Sequence, residues 1–172
     1  MIQVRVLGIA LDAAEQHIIL LKPLLEEPGS GLVLPIWIGS QEATSILLAV
    51  AGEEPPRPMT HDLMTTIVGT LRAGVERVEV TRIDDGTFYA EISLSTPWGP
   101  RVLDARPSDA VALAVRVEAP IFVADEVLGE AGMPAEVVES SSGDDDEPES
   151  DDEKVDEFKR FLEDVDPEDF QG

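Results

Sequence analysis

The chain of 172 residues contains no cysteine. This absence excludes disulfide bonds, thiolate metal sites and cysteine nucleophiles, so any chemistry must use oxygen and nitrogen side chains. No apolar run approaches the length of a membrane span, and Met1 is not followed by the basic and apolar regions of a signal peptide. We therefore expect a cytoplasmic protein without membrane association.

Three common enzyme motifs are missing as well. The sequence has no phosphate loop of the G-x-x-x-x-G-K type, no H-E-x-x-H zinc helix and no dinucleotide-binding glycine pattern. Interpretations as a kinase, a zinc protease or a Rossmann dehydrogenase therefore have no support.

Positive charge is scarce, and the formal net charge is −24. Residues 140–172 hold 15 acids and 3 bases, so their net charge of −12 equals that of residues 1–139, which hold 21 acids and 9 bases. An acidic tail of this kind repels other polyanions over a Debye length of roughly 8 Å in physiological salt. This charge argues against a protein that coats DNA nonspecifically.

The apolar periodicity predicts a single α+β domain over residues 1–139, with a mixed β-sheet and packed helices. In the second predicted helix, Leu63, Ile67 and Leu71 recur every four residues as an amphipathic stripe, and Thr60 is predicted to be its N-cap. The predicted strands cover residues 2–11, 17–25, 32–38, 75–83, 87–95, 101–105 and 121–123, and the predicted helices cover 40–51, 60–74 and 107–117.

After Val138 the composition changes abruptly. Residues 140–152 are rich in serine and acids and are predicted to be a disordered linker. Residues 153–172 are predicted to be a short acidic helix and tail. A helix this short is marginal in water, so we expect its apolar stripe to dock on its own domain or on a neighbouring subunit. The stripe consists of Val155, Phe158, Leu162 and Val165.

Three segments each open a predicted helix with a carboxylate in its first turn. These segments are Ser40–Glu42, Thr60–Asp62 and Pro107–Asp109. If the three helix starts converge in the fold, they collect acids, His61 and the nearby Arg57 and Arg106 around one polar site. Such a set suits phosphate and metal chemistry.

A local explanation competes with this one. Acids and small hydroxyl residues at helix N-termini satisfy free backbone amides and oppose the helix dipole, so Asp109 has a structural reason to be present. Asp104 and Arg106 are two positions apart on an extended segment, where they are expected to face the same side and to be able to pair with each other or with Asp109. The sequence alone does not separate the two explanations.

Four segments resemble the bifunctional nuclease, or BFN, domain family. They are LPIWIGSQEA (residues 34–43), RPMTHDL (57–63), TFYAEI (87–92) and LDARPSDAVALAVR (103–116). The resemblance spans about residues 1–135, and residues 158–170 are similar to the tail of bacterial members. It implies an α+β fold, self-association and, as in some members, cleavage of both DNA and RNA.

The resemblance and the residues together predict a nuclease assisted by a divalent metal, magnesium or manganese. An imidazole titrates near neutral pH and so suits a general acid or base. The predicted catalytic residues are His61, Asp62, Asp104 and Asp109. The predicted metal ligands are Asp62, Asp104, Asp109 and Glu42, and the predicted substrate-binding residues are Arg57, Arg106 and Ser108. A Ser-His-Asp triad that uses Ser108 stays open.

The alternative is a non-catalytic, self-associating adaptor whose acidic tail binds a basic partner. In that case the same residues are structural. Under either hypothesis we expect a homo-oligomer, with a dimer as the first expectation, and the nuclease hypothesis adds nucleic acid as the substrate.

Overall fold

The computed structural model describes residues 1–140. The predicted linker, except for Ser140, and the predicted helix at 153–172 lie outside the described residues. The strands are β1 (Ile2–Leu11), β2 (His17–Pro23), β3 (Leu32–Ile38), β4 (Gly74–Asp84), β5 (Thr87–Ser95), β6 (Arg101–Ala105), β7 (Ile121–Val123) and β8 (Met133–Pro134). The helices are α1 (Ser40–Ala51), α2 (Thr60–Thr70), α3 (Pro107–Val117), α4 (Asp125–Ala131) and α5 (Ala135–Ser140).

The strands form one mixed sheet in the order β6-β5-β4-β7-β1-β2-β3-β8. Neighbouring strands are antiparallel except for β4 and β7, which are parallel. The prediction of a single α+β domain with a mixed sheet is therefore confirmed.

Two apolar clusters hold the helices on the sheet. The larger cluster joins α1, α3 and α4 to inward-facing residues of β4 and β5, such as Val78 and Ile92. A smaller cluster contains the alternate residues of β2, Ile18 and Leu20, together with Trp37 and Val138. Because side chains alternate across a strand, β2 contributes to an apolar layer on each of its faces.

The end of β6 sets the start of α3. Ala105 pairs with Ala90 of the buried strand β5, and the helix begins two residues later at Pro107. Proline suits this first helical position because it needs no N–H donor there. Arg106 is therefore held between a sheet strand and a helix, with an extended backbone.

Three features of α2 differ from the sequence-based expectation, and the first is its end: the helix stops at Thr70, whereas Gly74, the predicted end, begins β4. The predicted N-cap, Thr60, is wrong: Thr60 is the first helical residue and Met59 is the N-cap, whose backbone N–H donates to the Asp62 carboxylate at 2.7 Å. The apolar stripe of Leu63, Ile67 and Leu71 is also exposed to solvent, at 54%, 49% and 56% of each residue's maximum accessible surface. The helix is amphipathic as predicted, but its apolar stripe is not packed on the domain.

Candidate functional site

The starts of α1, α2 and α3 meet in one hydrogen-bonded network around Arg106. The guanidinium Nε donates to Asp109 Oδ2 at 2.8 Å, and Nη2 donates to Glu42 Oε1 at 2.7 Å. The second oxygen of Asp109 lies 3.1 Å from His61 Nε2. Glu42, His61 and Asp109 each lie in the first turn of a different helix.

His61 lies beneath this network and is only 5% exposed. Its Nδ1 is 2.9 Å from the hydroxyl of Ser45, which is also buried. An ionised carboxylate only accepts hydrogen bonds, so Nε2 carries the hydrogen that it shares with Asp109. In the neutral imidazole, Nδ1 then accepts from Ser45. Both ring nitrogens are thus occupied, and the imidazole fixes the position of the Asp109 carboxylate.

Opposing effects act on the pKa of Asp109. Burial raises the pKa of this carboxyl, but the hydrogen bonds from Arg106 and then from His61 outweigh burial and lower it below the usual value. Asp109 is therefore ionised at neutral pH. The network presents a half-exposed guanidinium above a paired carboxylate and a buried imidazole.

A second ion pair lies next to this network. The Arg116 Nε donates to Asp62 Oδ1 at 2.6 Å, and the Arg116 side chain is only 9% exposed. The hydrogen bond from Arg116, followed by that from the Met59 backbone, lowers the pKa of Asp62. Asp62 and Arg116 line a cleft of about 490 Å³ between α1, α2 and α3.

The other predicted site residues do not join the network. Asp104 lies opposite Glu91 in the β5–β6 register, whereas the neighbouring pair of Ala105 and Ala90 faces the helices. Successive residues of a strand point to opposite faces, so Asp104 lies on the face away from His61. Of the two pairings that the sequence allowed for Arg106, the one with Asp109 forms, and Asp104 makes no ion pair with the described residues.

Arg57 and Ser108 also stand apart. Arg57 is exposed on the connection between α1 and α2 and makes no hydrogen bond or ion pair with the described residues. Ser108 is buried in the first turn of α3. The hydroxyl that contacts His61 belongs to Ser45, so the geometry does not support a triad that uses Ser108.

In the described part of the chain, the predicted metal ligands do not gather around one point. Both oxygens of Asp62 and both oxygens of Asp109 already accept hydrogen bonds, and Glu42 is paired with Arg106. Asp104 lies on the other face of the sheet. Within residues 1–140, no group of three or more histidine and acidic side chains is placed to hold a metal ion. We therefore derive no catalytic step through a metal.

Comparison with known proteins identifies the family. The model of the bifunctional nuclease domain matches residues 23–136, which include the whole network and all four segments of the sequence resemblance. The chain belongs to the bifunctional nuclease domain family. The resemblance stated above is thereby confirmed.

Relatives of this BFN domain fall into two groups. An uncharacterized protein of Mycobacterium tuberculosis is 37% identical over 170 residues, which cover 99% of this chain and 98% of that protein. Bifunctional nuclease 1 of Arabidopsis thaliana is 30% identical over 117 residues, and that of Oryza sativa is 28% identical over 125. These matches cover only 35% and 37% of the two plant proteins. None of the helices described in the BFN domain is long and apolar enough to cross a bilayer.

Sequence reasoning missed Ser45 of the network around Arg106 and Arg116 of the neighbouring ion pair. Ser45 lies three residues after Glu42 and directly after Thr44, where the apolar run of α1 begins, and a hydroxyl beside that run was the available signal. Arg116 follows Asp109 by seven residues, which places both on one side of α3. Neither signal identifies the partner, because His61 and Asp62 come from another helix.

We expect an Asp62→Asn variant to lower the free energy of unfolding by about 2–3 kcal/mol near neutral pH, since Arg116 would stay buried without its ion pair. The folded pKa of Asp62 is lowered. The stability that the ionised Asp62 carboxylate contributes is therefore complete above the unfolded carboxyl pKa of about 3.9. It is lost as the pH falls through the lower pKa of the folded state.

Urea unfolding of both proteins near neutral pH and at about pH 3 measures this effect. The difference between wild type and variant should shrink at the acidic pH. Glu76→Gln removes an exposed acid that makes no ion pair with the described residues and serves as the control. A difference that is equal at both pH values contradicts the prediction.

Proposed function

We propose that this chain is a nuclease that hydrolyses phosphodiester bonds of DNA and RNA, with Arg106 and Asp109 at the reacting phosphate. Membership of the BFN family supports a nuclease. The observation that carries the proposal is the Arg106 guanidinium, which is 51% exposed and lies between Asp109 and Glu42. A planar guanidinium can bind two phosphate oxygens at once and neutralise charge that develops on them.

Arg106 has donors to spare for a substrate. Its two bonds to Asp109 and Glu42 use two of the five N–H groups of a guanidinium. An incoming phosphate also competes with both carboxylates for this cation. The hydrogen bond from Arg106 is the strongest of the effects that lower the pKa of Asp109. As Arg106 turns to the phosphate this bond weakens, so Asp109 becomes a better proton acceptor.

Water is the nucleophile in this proposal. DNA lacks the 2′-hydroxyl of RNA, so an enzyme that cleaves both must use a nucleophile that both substrates share. Asp109 would accept a proton from that water as it attacks phosphorus, while the bond from phosphorus to the leaving ester oxygen breaks and that oxygen takes a proton from bulk water. His61 acts as a positioning residue, because its Nε2–H holds Asp109 Oδ1 and its Nδ1 is held by Ser45.

The remaining predicted residues keep lesser roles in the proposal. Arg57 is exposed near the start of α2 and is proposed to contact a second phosphate of the strand. A catalytic role for Asp62, Asp104 or Ser108 stays a prediction. Magnesium or manganese dependence also stays a prediction, which the assay below tests directly.

The decisive assay incubates purified full-length protein with single-stranded DNA and RNA, with and without EDTA, and follows fragment length on denaturing gels. We expect cleavage by the wild type and at least about 100-fold less by Asp109→Ala. His61→Ala should lose activity as well. Equal cleavage by wild type and Asp109→Ala identifies a contaminating enzyme and ends the proposal, whereas loss of activity in EDTA shows that a metal is required.

An exposed apolar stripe fits a second candidate function, that of a self-associating adaptor, and is equally expected of an oligomeric nuclease. The exposed stripe of Leu63, Ile67 and Leu71 on α2 is a contiguous apolar surface of the kind that marks protein interfaces. We therefore propose that two copies of the chain associate through α2. A basic partner for residues 140–172 stays a prediction, since these residues lie outside the described part except for Ser140. An inactive protein that still associates through α2 would favour the adaptor.

A further inference from the structure

A cavity of about 520 Å³ lies apart from the Arg106 network and shares no lining residue with it. Its wall is mainly apolar and includes Trp37, Phe88 and Met133, which are 6%, 2% and 9% exposed and so present only their edges to the cavity. Two exposed acids, Asp85 and Glu130, also line it. An apolar pocket with acids at its edge suits an occupant with apolar side chains flanked by a positive charge.

The described part of the chain ends next to this cavity. Met133 lines the cavity and belongs to β8, which leads directly into α5. Val138 of α5 packs in the same apolar cluster as Trp37, and α5 ends two residues later at Ser140. A segment that continues from α5 therefore starts within a short distance of the cavity.

The sequence beyond residue 140 carries a matching segment. The predicted helix presents Val155, Phe158, Leu162 and Val165 as one stripe, and it needs an apolar surface to be stable. The 12 residues from 141 to 152 would span roughly 20 Å as a flexible chain. This reach is enough to return the stripe to the cavity beside α5.

One basic side chain at the border of the stripe can meet these acids, although residues 153–165 hold five acids and three bases. Lys159 follows Val155 by four residues and precedes Leu162 by three, so it borders the stripe on a helix. A helix seated in the cavity would thus bring Lys159 close to the two acids at its edge. Arg160 lies two residues from both Phe158 and Leu162 and points away from the stripe.

We propose that the C-terminal segment of residues 153–165 docks in the cavity lined by Trp37, Phe88 and Met133 of the same chain, with Lys159 beside Glu130. This docking does not depend on nuclease activity. It provides the segment with the apolar surface that it lacks alone, and it leaves the α2 stripe open for a second copy.

The cysteine-free chain allows a direct test by disulfide cross-linking. In the full-length protein, Glu130→Cys combined with Lys159→Cys is oxidised, and the products are separated on non-reducing gels and mapped by mass spectrometry. We expect an intramolecular disulfide that forms at least about tenfold faster than in the Ile67→Cys and Lys159→Cys pair. The second pair reports docking on the α2 stripe instead.

Two further variants test the stripe itself. Adding Phe158→Ser and Leu162→Ser to the Glu130→Cys and Lys159→Cys protein should slow disulfide formation at least about tenfold. Adding Arg160→Ser to the same protein should leave that rate unchanged. Circular dichroism melting confirms that each variant is folded. A disulfide between two chains overturns the proposal. So does an Ile67→Cys and Lys159→Cys pair that cross-links as fast as the Glu130→Cys and Lys159→Cys pair or faster, and so does a cross-linking rate that the Phe158→Ser and Leu162→Ser substitutions leave unchanged.

Discussion

An Arg106→Ala variant is expected to cleave single-stranded DNA and RNA about 100- to 1,000-fold more slowly than the wild type, since it loses the group proposed to neutralise the transition-state charge. Arg106→Lys should recover only part of this loss. A lysine ammonium keeps the charge but cannot bind two phosphate oxygens in the geometry of a guanidinium. Initial rates under substrate saturation and under low substrate separate a loss in kcat from a loss in KM.

Arg101→Ala is the matched control for this prediction. Arg101 is also exposed and lies five residues away on β6, but among residues 1–140 its side chain donates only to the Pro100 carbonyl. The Arg101→Ala substitution removes the same charge as Arg106→Ala but leaves the partners of Arg106, Asp109 and Glu42, unchanged. A similar decrease in the two alanine variants would attribute the effect to general charge, and full activity of Arg106→Ala would refute the proposed role.

The second large effect is expected in self-association. An Ile67→Glu variant should raise the dissociation constant of the dimer about 100-fold, because a buried charge replaces an apolar side chain at the centre of the proposed interface. Sedimentation equilibrium over a range of protein concentrations measures this constant. The monomer should remain as stable as the wild-type domain, since Ile67 is exposed in the described structure.

Thr66→Glu places the same charge on the same helix, beside the stripe. Thr66 is exposed and donates its hydroxyl hydrogen to the Asp62 carbonyl within α2. Its substitution should leave the dissociation constant within about threefold of the wild type, a difference below 1 kcal/mol. A wild-type chain that is monomeric at all concentrations, or an Ile67→Glu variant that associates like the wild type, would exclude the α2 interface.

Local patterns predicted most strands and the first three helices because their determinants are close in sequence. Helix α1 begins at Ser40 as expected and stops at Gly52, whose φ of 67° suits a residue without a side chain. The short elements α4, α5 and β8 were missed. Helices of six or seven residues depend on packing rather than on propensity, so they leave a weak signal.

The network around Arg106 illustrates what a local pattern cannot contain. Helix-start acids were visible in the sequence, and so was the histidine between them. The bond from Ser45 to His61 and the ion pair of Asp62 with Arg116 connect residues that are 16 and 54 positions apart. Which helix lies beside which depends on how the sheet is ordered, including the insertion of β7 between β4 and β1.

The amino-acid sequence by itself determined the α+β composition, the amphipathic character of α2 and the family to which the chain belongs, because periodicity and motif spacing are properties of neighbouring residues. Only the tertiary structure decided that Asp104 faces away from His61, that Arg106 bridges two helix starts and that the α2 stripe is exposed. An apolar face has the same sequence pattern whether a core, a partner or water lies against it, and only packing distinguishes these surroundings.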